Sequence, residues 1–181
     1  MPSDSNLTQT IRNLSNVGHP YRQKLDQDFG GRVGIYTKEM LLTGQNFSPD
    51  TVREMLTVCV MSYGSLRINS KKKDVRKVYQ ENGNLFRFAD YFRDTDVLLA
   101  DTPDTALIQV LRNMESVVVV DESHNDGSEL STEMMKKINQ SFVLDLIAKK
   151  RKNSNIICYV DAREMKKERM VKLPVVVYNS T

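Results

Sequence analysis

Long apolar runs are missing from this sequence. The longest is about five residues, against the roughly twenty that a membrane-spanning helix needs, so no transmembrane segment is expected. The opening residues, Met1-Pro2-Ser3-Asp4-Ser5-Asn6, are polar with no apolar stretch behind them. That argues against a secretory leader and for a cytoplasmic protein. Cysteine is scarce: Cys59 and Cys158 lie far apart in apolar segments, too few for a disulfide scaffold and without histidines at metal-ligand spacing. Both are expected as buried, reduced thiols. His19, beside Pro20, has no partner of the right type nearby and reads as a surface-loop residue; His124 is the only other histidine. Nothing supports a His-based catalytic triad. There is no Gly-Lys dipeptide, which excludes a phosphate-binding loop of the form G-x-x-x-x-G-K-[ST]. Excess charge is lacking too. The net charge of +3 is too small to imply nucleic-acid binding by itself.

What is present is the material of one α/β domain. Hydrophobic residues at 40% and charged residues at 27% give a globular profile, and 181 residues suffice for a real core. Residues 1–30 form a polar N-terminal segment, the first twenty weakly patterned and expected to be frayed; residues 31–181 are expected to hold the domain. Gly30-Gly31 punctuates the chain before a short alternating strand at 32–36, a helix near 37–43 and a turn at 44–46. Ser48-Pro49 has N-cap and first-position chemistry for another helix, and 57–63 reads as a strand buried on both faces. Residues 68–84, with Lys71-Lys72-Lys73 and the turn signal Asn82-Gly83-Asn84, are the least core-like and read as an excursion. A helix at 86–92 is expected to pack an aromatic face.

From residue 96 the pattern becomes regular. Residues 97–100 read as a short strand. Thr102 is placed to cap a helix with Pro103 at its first position and Ala106, Leu107, Val110 and Leu111 as its apolar stripe. Residues 117–120 are four valines, expected as a strand buried on both faces. A helix at 128–138 and a strand at 142–146 follow. This alternation is the signature of a mainly parallel sheet with helices on both faces. Further on, a strand at 155–160, a helix at 162–170 and a strand at 175–178 are expected.

The valine run delivers Asp121-Glu122-Ser123-His124. Ligands of an open parallel sheet gather at the carboxyl ends of its strands, so two carboxylates arrive at the lip of that crevice. One suits Mg²⁺, which takes oxygen ligands and keeps much of its hydration shell. The other suits orientation of the water that attacks a γ-phosphate. The plain alternative is an N-cap or a solvated loop charge; the unbroken valine run before the acids, with a helix and a strand after them, favours function.

Asp-Glu-Ser-His behind a valine strand resembles the Walker B or DExH box of superfamily 2 DEAD/DEAH-box helicases. Residues 97–179 more particularly resemble the restriction (Res) subunit of type III restriction-modification enzymes, with a fainter likeness over 31–63. Asp101-Thr102-Pro103-Asp104 is similar to the Thr-Pro element that touches the nucleic-acid backbone in these motors. Residues 161–167 and 170–174 resemble the segment that leaves the first motor lobe. The resemblance implies an incomplete first RecA-like lobe of P-loop NTPase type, a hydrolase that couples ATP to translocation along DNA with Mg²⁺ as cofactor. It implies Asp121 as metal ligand, Asp121 and Glu122 at the nucleotide, Glu122 as the water-orienting base, His124 as the coupling residue, and Thr102 and Pro103 near DNA. Possible partners are DNA, the missing motor segments and a methyltransferase (Mod) subunit.

Two departures matter. The phosphate loop, which in that family lies upstream, is absent. Where the family has Thr-Ala-Thr-Pro, this chain has Ile147-Ala148-Lys149-Lys150, keeping only the alanine. The basic run Lys149-Lys150-Arg151-Lys152 reads either as a solvated loop or as a salt-dependent, sequence-blind phosphate contact. Lys71-Lys72-Lys73 reads as a solvated loop, and the aromatics of 79–92 as packing rather than a base-stacking platform. Three readings stay open: a motor-enzyme fragment, a degenerate non-catalytic DNA- or partner-binding module, and a remnant without function. The isolated chain is expected to lack ATPase activity.

Overall fold

The computed structural model describes residues 4–66, 77–91, 98–121, 135–146 and 155–158. The chain divides into two compact units, Met1–Ile147 and Ala148–Thr181.

The first unit opens with a helix where composition suggests a frayed segment, α1 (Asp4–Ser15), followed by α2 (Pro20–Asp28) in the rest of the polar N-terminal segment. His19 is the N-cap of α2, its Nδ1 accepting the Tyr21 N–H at 3.3 Å, with Pro20 following as its conformation allows. None of the α2 residues is buried, so polar contacts hold the helix. Arg22 Nε donates to both Asp26 carboxylate oxygens at 2.9 Å, one Nη donates to Leu14 O at 3.4 Å and the other to Val33 O at 3.3 Å. One planar guanidinium thus joins the end of α1 and the start of the first strand to α2, a geometry that a lysine ammonium does not reproduce.

Strand β1 (Val33–Thr37) runs directly into α3 (Lys38–Thr43), and α4 (Pro49–Glu54) leads to β2 (Leu56–Val60). Local chemistry sets each boundary. Thr37 Oγ1 accepts the Met40 N–H and Ser48 Oγ accepts the Thr51 N–H, both at 3.3 Å, as N-caps should. Gly44 closes α3 in the left-handed region at φ +64°, and a Cβ there would meet Asn84 O at 2.8 Å. β1 and β2 pair in parallel from Val33 opposite Leu56 to Thr37 opposite Val60. All five β2 residues are half-buried, so this strand is not closed on both faces as expected.

Single 3₁₀ turns at Tyr63–Leu66, Lys77–Tyr79 and Gly83–Leu85 precede α5 (Phe86–Tyr91). The supposed excursion reaches the core: Val78 is fully buried, and the Tyr79 O–H donates to Leu66 O at 2.6 Å. The aromatic face of α5 is narrower than expected, since only Phe88 is buried while Phe86 and Tyr91 are exposed. Arg87 lies over the Phe86 ring and Arg53 over the Tyr91 ring, at 5.9 and 5.4 Å.

Helix α6 (Leu107–Asn113) buries five consecutive residues, Leu107 to Leu111, so apolar packing surrounds its first turns. Thr102 does not cap it and Pro103 does not start it. The N-cap is Ala106, without a side-chain hydrogen bond, and the Pro103 carbonyl accepts the Ala106 N–H in a turn at 2.9 Å. Leu98–Ala100 form no strand either. The reason is Gln109, whose side chain takes both the N–H and the C=O of Leu99 and so occupies the groups a neighbouring strand would use.

β3 (Val117–Asp121) and β4 (Phe142–Leu146) pair in parallel, Val117 opposite Phe142 through Asp121 opposite Leu146. Residues 135–138 are helical, the described part of the helix expected over 128–138. Arg112 Nη1 donates to the Lys136 and Lys137 carbonyls at 2.7 and 3.0 Å, satisfying groups that a helix end leaves open. The valine strand is not buried on both faces. Val118 packs on the core and Val120 is buried, but Val117 and Val119 are 63% and 57% exposed.

The architecture is therefore mixed α/β, with two separate two-stranded parallel sheets among the described residues where one mainly parallel sheet is expected. One core joins Tyr36, Leu41, Phe47, Val78, Phe88 and the buried face of α6. In the second unit residues 155–158 are not a strand, and Cys158 is exposed rather than buried. The helix and strand expected at 162–170 and 175–178 lie outside the described residues, as do Lys71-Lys72-Lys73. No helix among the described residues is long and apolar enough to cross a membrane.

Candidate functional site

Asp121 is the last residue of β3 and stands opposite Leu146, the last residue of β4. Strand side chains alternate between faces, so Asp121 continues the face of Val117 and Val119. Its side chain is exposed. The acid therefore sits where the sequence puts it along the chain, at the carboxyl end of a parallel strand, on that strand's open side. Glu122 and His124 lie outside the described residues, and so do Lys149, Lys150, Arg151 and Lys152.

Thr102 and Pro103 belong to the loop before α6. Pro103 is exposed and Thr102 half-buried, with Asp101 and Asp104 exposed on either side. The Thr102 hydroxyl donates to Ala100 O at 3.5 Å, a marginal bond. Asp101 adopts φ +59°, left-handed backbone that an aspartate tolerates better than most residues. No hydrogen bond or ion pair among the described residues brings this loop and Asp121 together.

Among the described residues no group of three or more His, Cys, Asp or Glu is disposed to hold a metal ion. Asp121, as an exposed carboxylate, suits an ion that keeps most of its water, which is the habit of Mg²⁺. Burial pushes the Cys59 thiol on β2 up to about 12, which disfavours the thiolate, the reactive form.

Two polar residues have structural consequences that motif reading does not give: Gln109, which it passes over, and Asn82, which it reads only as part of a turn. Gln109 is 1% exposed; besides Leu99 it reaches the Thr102 carbonyl, Nε2 donating at 3.1 Å. A glutamine between Ile108 and Val110 in an apolar window was the available signal. Asn82 donates from Nδ2 to Leu42 O at 2.8 Å, and its backbone N–H donates to Thr105 Oγ1 at 3.1 Å, joining α3 to the loop before α6. Beside it lies a shallow groove of about 370 Å³ lined by Glu39, Leu42, Thr43, Lys77, Gln80, Glu81 and Asn82, none of them a residue singled out for function from the sequence. The Glu39 carboxyl is held below its usual range, chiefly by a hydrogen bond from its own backbone N–H, with the Thr37 hydroxyl and Lys38 adding to it against the effect of burial.

Comparison with protein-family models, with curated proteins and with solved structures finds no match in any of the three.

Proposed function

We propose that this chain is the portion of a superfamily 2 helicase-type ATPase lobe that surrounds the acidic motif, of the kind found in the Res subunit of type III restriction-modification enzymes. The observation that carries the reading is Asp121, an exposed carboxylate at the carboxyl end of a valine strand in a parallel pair. In a RecA-like lobe that edge is where nucleotide and metal gather. Asp121 offers the oxygen donor that Mg²⁺ accepts directly or through its water shell. When bound, the ion supplies neutralisation of charge at the β- and γ-phosphates. In this reading Glu122 orients water and His124 couples the site to the rest of the motor.

The missing Gly-Lys loop decides what the chain does in isolation. Without its backbone N–H groups and lysine nothing holds the phosphates, so affinity for ATP is poor and the remaining role is binding. The partners are DNA, and the missing motor segments or a methyltransferase subunit. DNA meets the basic run Lys149-Lys150-Arg151-Lys152 and the Thr102-Pro103 loop.

Two assays test this. Mg²⁺-dependent ATP hydrolysis by the full chain, with and without DNA, is expected at background; robust turnover abolished by Glu122→Gln would overturn the claim of inactivity. Duplex DNA is expected to bind at low salt, measured by fluorescence anisotropy. Replacing all four residues of the basic run by glutamate should reduce affinity by at least about tenfold and flatten the logarithmic salt dependence by roughly 3 to 4, the slope expected for four phosphate contacts. Unchanged affinity in that variant removes the DNA-binding reading of the run.

A further inference from the structure

We infer that Gln109 is a positioning residue for the loop that carries Thr102 and Pro103, an inference that rests on the proposed contact between that loop and DNA. The carboxamide uses all its reach on one segment. Oε1 accepts the Leu99 N–H at 3.0 Å, and Nε2 donates to Leu99 O at 3.0 Å and to Thr102 O at 3.1 Å. The two bonds to Leu99 copy the exchange between opposed residues of antiparallel strands. The third spans Asp101 and fixes the carbonyl of Thr102 itself. A buried amide without these partners would carry a desolvation penalty, so helix and loop hold each other in one arrangement.

The need for positioning comes from charge. Thr102 offers a hydroxyl that can donate a hydrogen bond to a phosphate oxygen, yet Asp101 and Asp104 are exposed on either side of it. Each carboxylate repels the same phosphate. Whether the loop attracts or repels a DNA backbone then depends on which group faces it, and the loop conformation decides that. Asp101 takes left-handed backbone at φ +59°, which an aspartate adopts at modest cost when the residues around it are held in place. Gln109 supplies that hold from a helix whose first turns are packed in the core.

The test uses the full chain with fluorescein-labelled duplex DNA at low salt and the variants Thr102→Val, Gln109→Glu and the double variant. Glutamate keeps the shape of glutamine and exchanges the donor that faces two carbonyls for an acceptor. Thr102→Val is expected to weaken binding about three- to tenfold, the loss of one hydrogen bond, and Gln109→Glu about tenfold. The double variant should bind about as weakly as the weaker single variant, because both remove the same contact. A purely structural role would make the two losses multiply, and that result overturns the inference, as does wild-type affinity in Gln109→Glu when Thr102→Val is weakened. Wild-type affinity in Thr102→Val instead removes the loop contact itself, and the role of Gln109 falls with it. Should Gln109→Glu fail to fold, hydrogen exchange of the wild-type chain decides. The Leu99 amide, which belongs to no strand, is expected to be protected like a core amide, and exchange at the rate of a free loop overturns the inference.

Discussion

The two parallel pairs, β1–β2 and β3–β4, have the same length and the same five-by-five register, yet they meet solvent differently. β1 buries Val33 and Tyr36 and half-buries the rest, and β2 is half-buried throughout. The second pair is richer in valine but leaves Val117, Val119, Phe142 and Leu146 about half exposed or more. Apolar content therefore does not decide burial here. Burial follows from what is laid against each face: Val118, on the other side of β3, packs against the cluster that contains α6 and Ile138. The hydrophobic effect rewards removal of apolar area from water without regard to direction, so a run of valines indicates a strand that wants cover and not which face receives it.

The largest expected effect tests this contrast with one substitution made twice. Val33 is 5% exposed and Val119 57%. Val33→Ala removes buried methyl groups and should destabilise the chain by about 2 kcal/mol, whereas Val119→Ala should cost less than about 0.5 kcal/mol. Urea unfolding of the two variants measures the difference. Equal losses would break the comparison and mean that the valine face of β3 is covered in solution.

The same contrast separates what was legible in the sequence from what was not. Gly44 and Ser48-Pro49 act within their own turns, so their signals carried over into observed helix boundaries, while Thr37, expected as the first helical residue, serves as the N-cap. Phe142–Leu146 came out with the expected bounds, and Asp121 took the expected place at a strand's carboxyl end. Long-range partners were invisible. The helix expected to be capped by Thr102 is capped by Ala106, four residues later, because Gln109 captures Leu99 and Thr102. Val78 is buried although its neighbourhood reads as the least core-like in the chain. His19 looked like a loop residue and serves as an N-cap. The helical N-terminus depends on Arg22, whose bonds to Leu14 and Val33 cannot be read from spacing. Of the residues singled out for function, the place of Asp121 at the end of β3 was readable, because it follows from where the valine run stops, while the conformation of the Thr102 loop was not, because a buried amide sets it.

A second test places thiols on the two sheets. Burial pushes Cys59 on β2 up to about 12, so on the order of one thiol in ten thousand is ionised at pH 8. In a Cys158→Ser background Cys59 should resist a thiol reagent until the chain is unfolded. Adding Val119→Cys, on the open face of β3, should introduce one thiol that reacts within minutes, counted spectrophotometrically. Prompt reaction of Cys59 would show that the β1–β2 pair opens readily and would erase the difference between the sheets.

The smallest effect concerns the helix that follows β1. The Glu39 carboxyl is lowered, chiefly by its own backbone N–H at the start of α3, where a carboxylate also meets the positive end of the helix. A group whose folded-state pKa lies below its unfolded value stabilises the fold above the unfolded value, about 4.3 for a glutamate, and that stabilisation disappears as pH falls through the lowered value. The side chain is 73% exposed, so solvent screening keeps the contribution small. Stability measured from pH 7 down to pH 3 should therefore fall slightly less steeply for Glu39→Gln than for the wild type, with the two curves converging at the acid end, since below the lowered pKa both carry a neutral side chain. Curves that stay parallel across that window would mean that α3 does not hold the ionised carboxylate, and that the cap at the end of β1 is looser than Thr37 and Glu39 together imply.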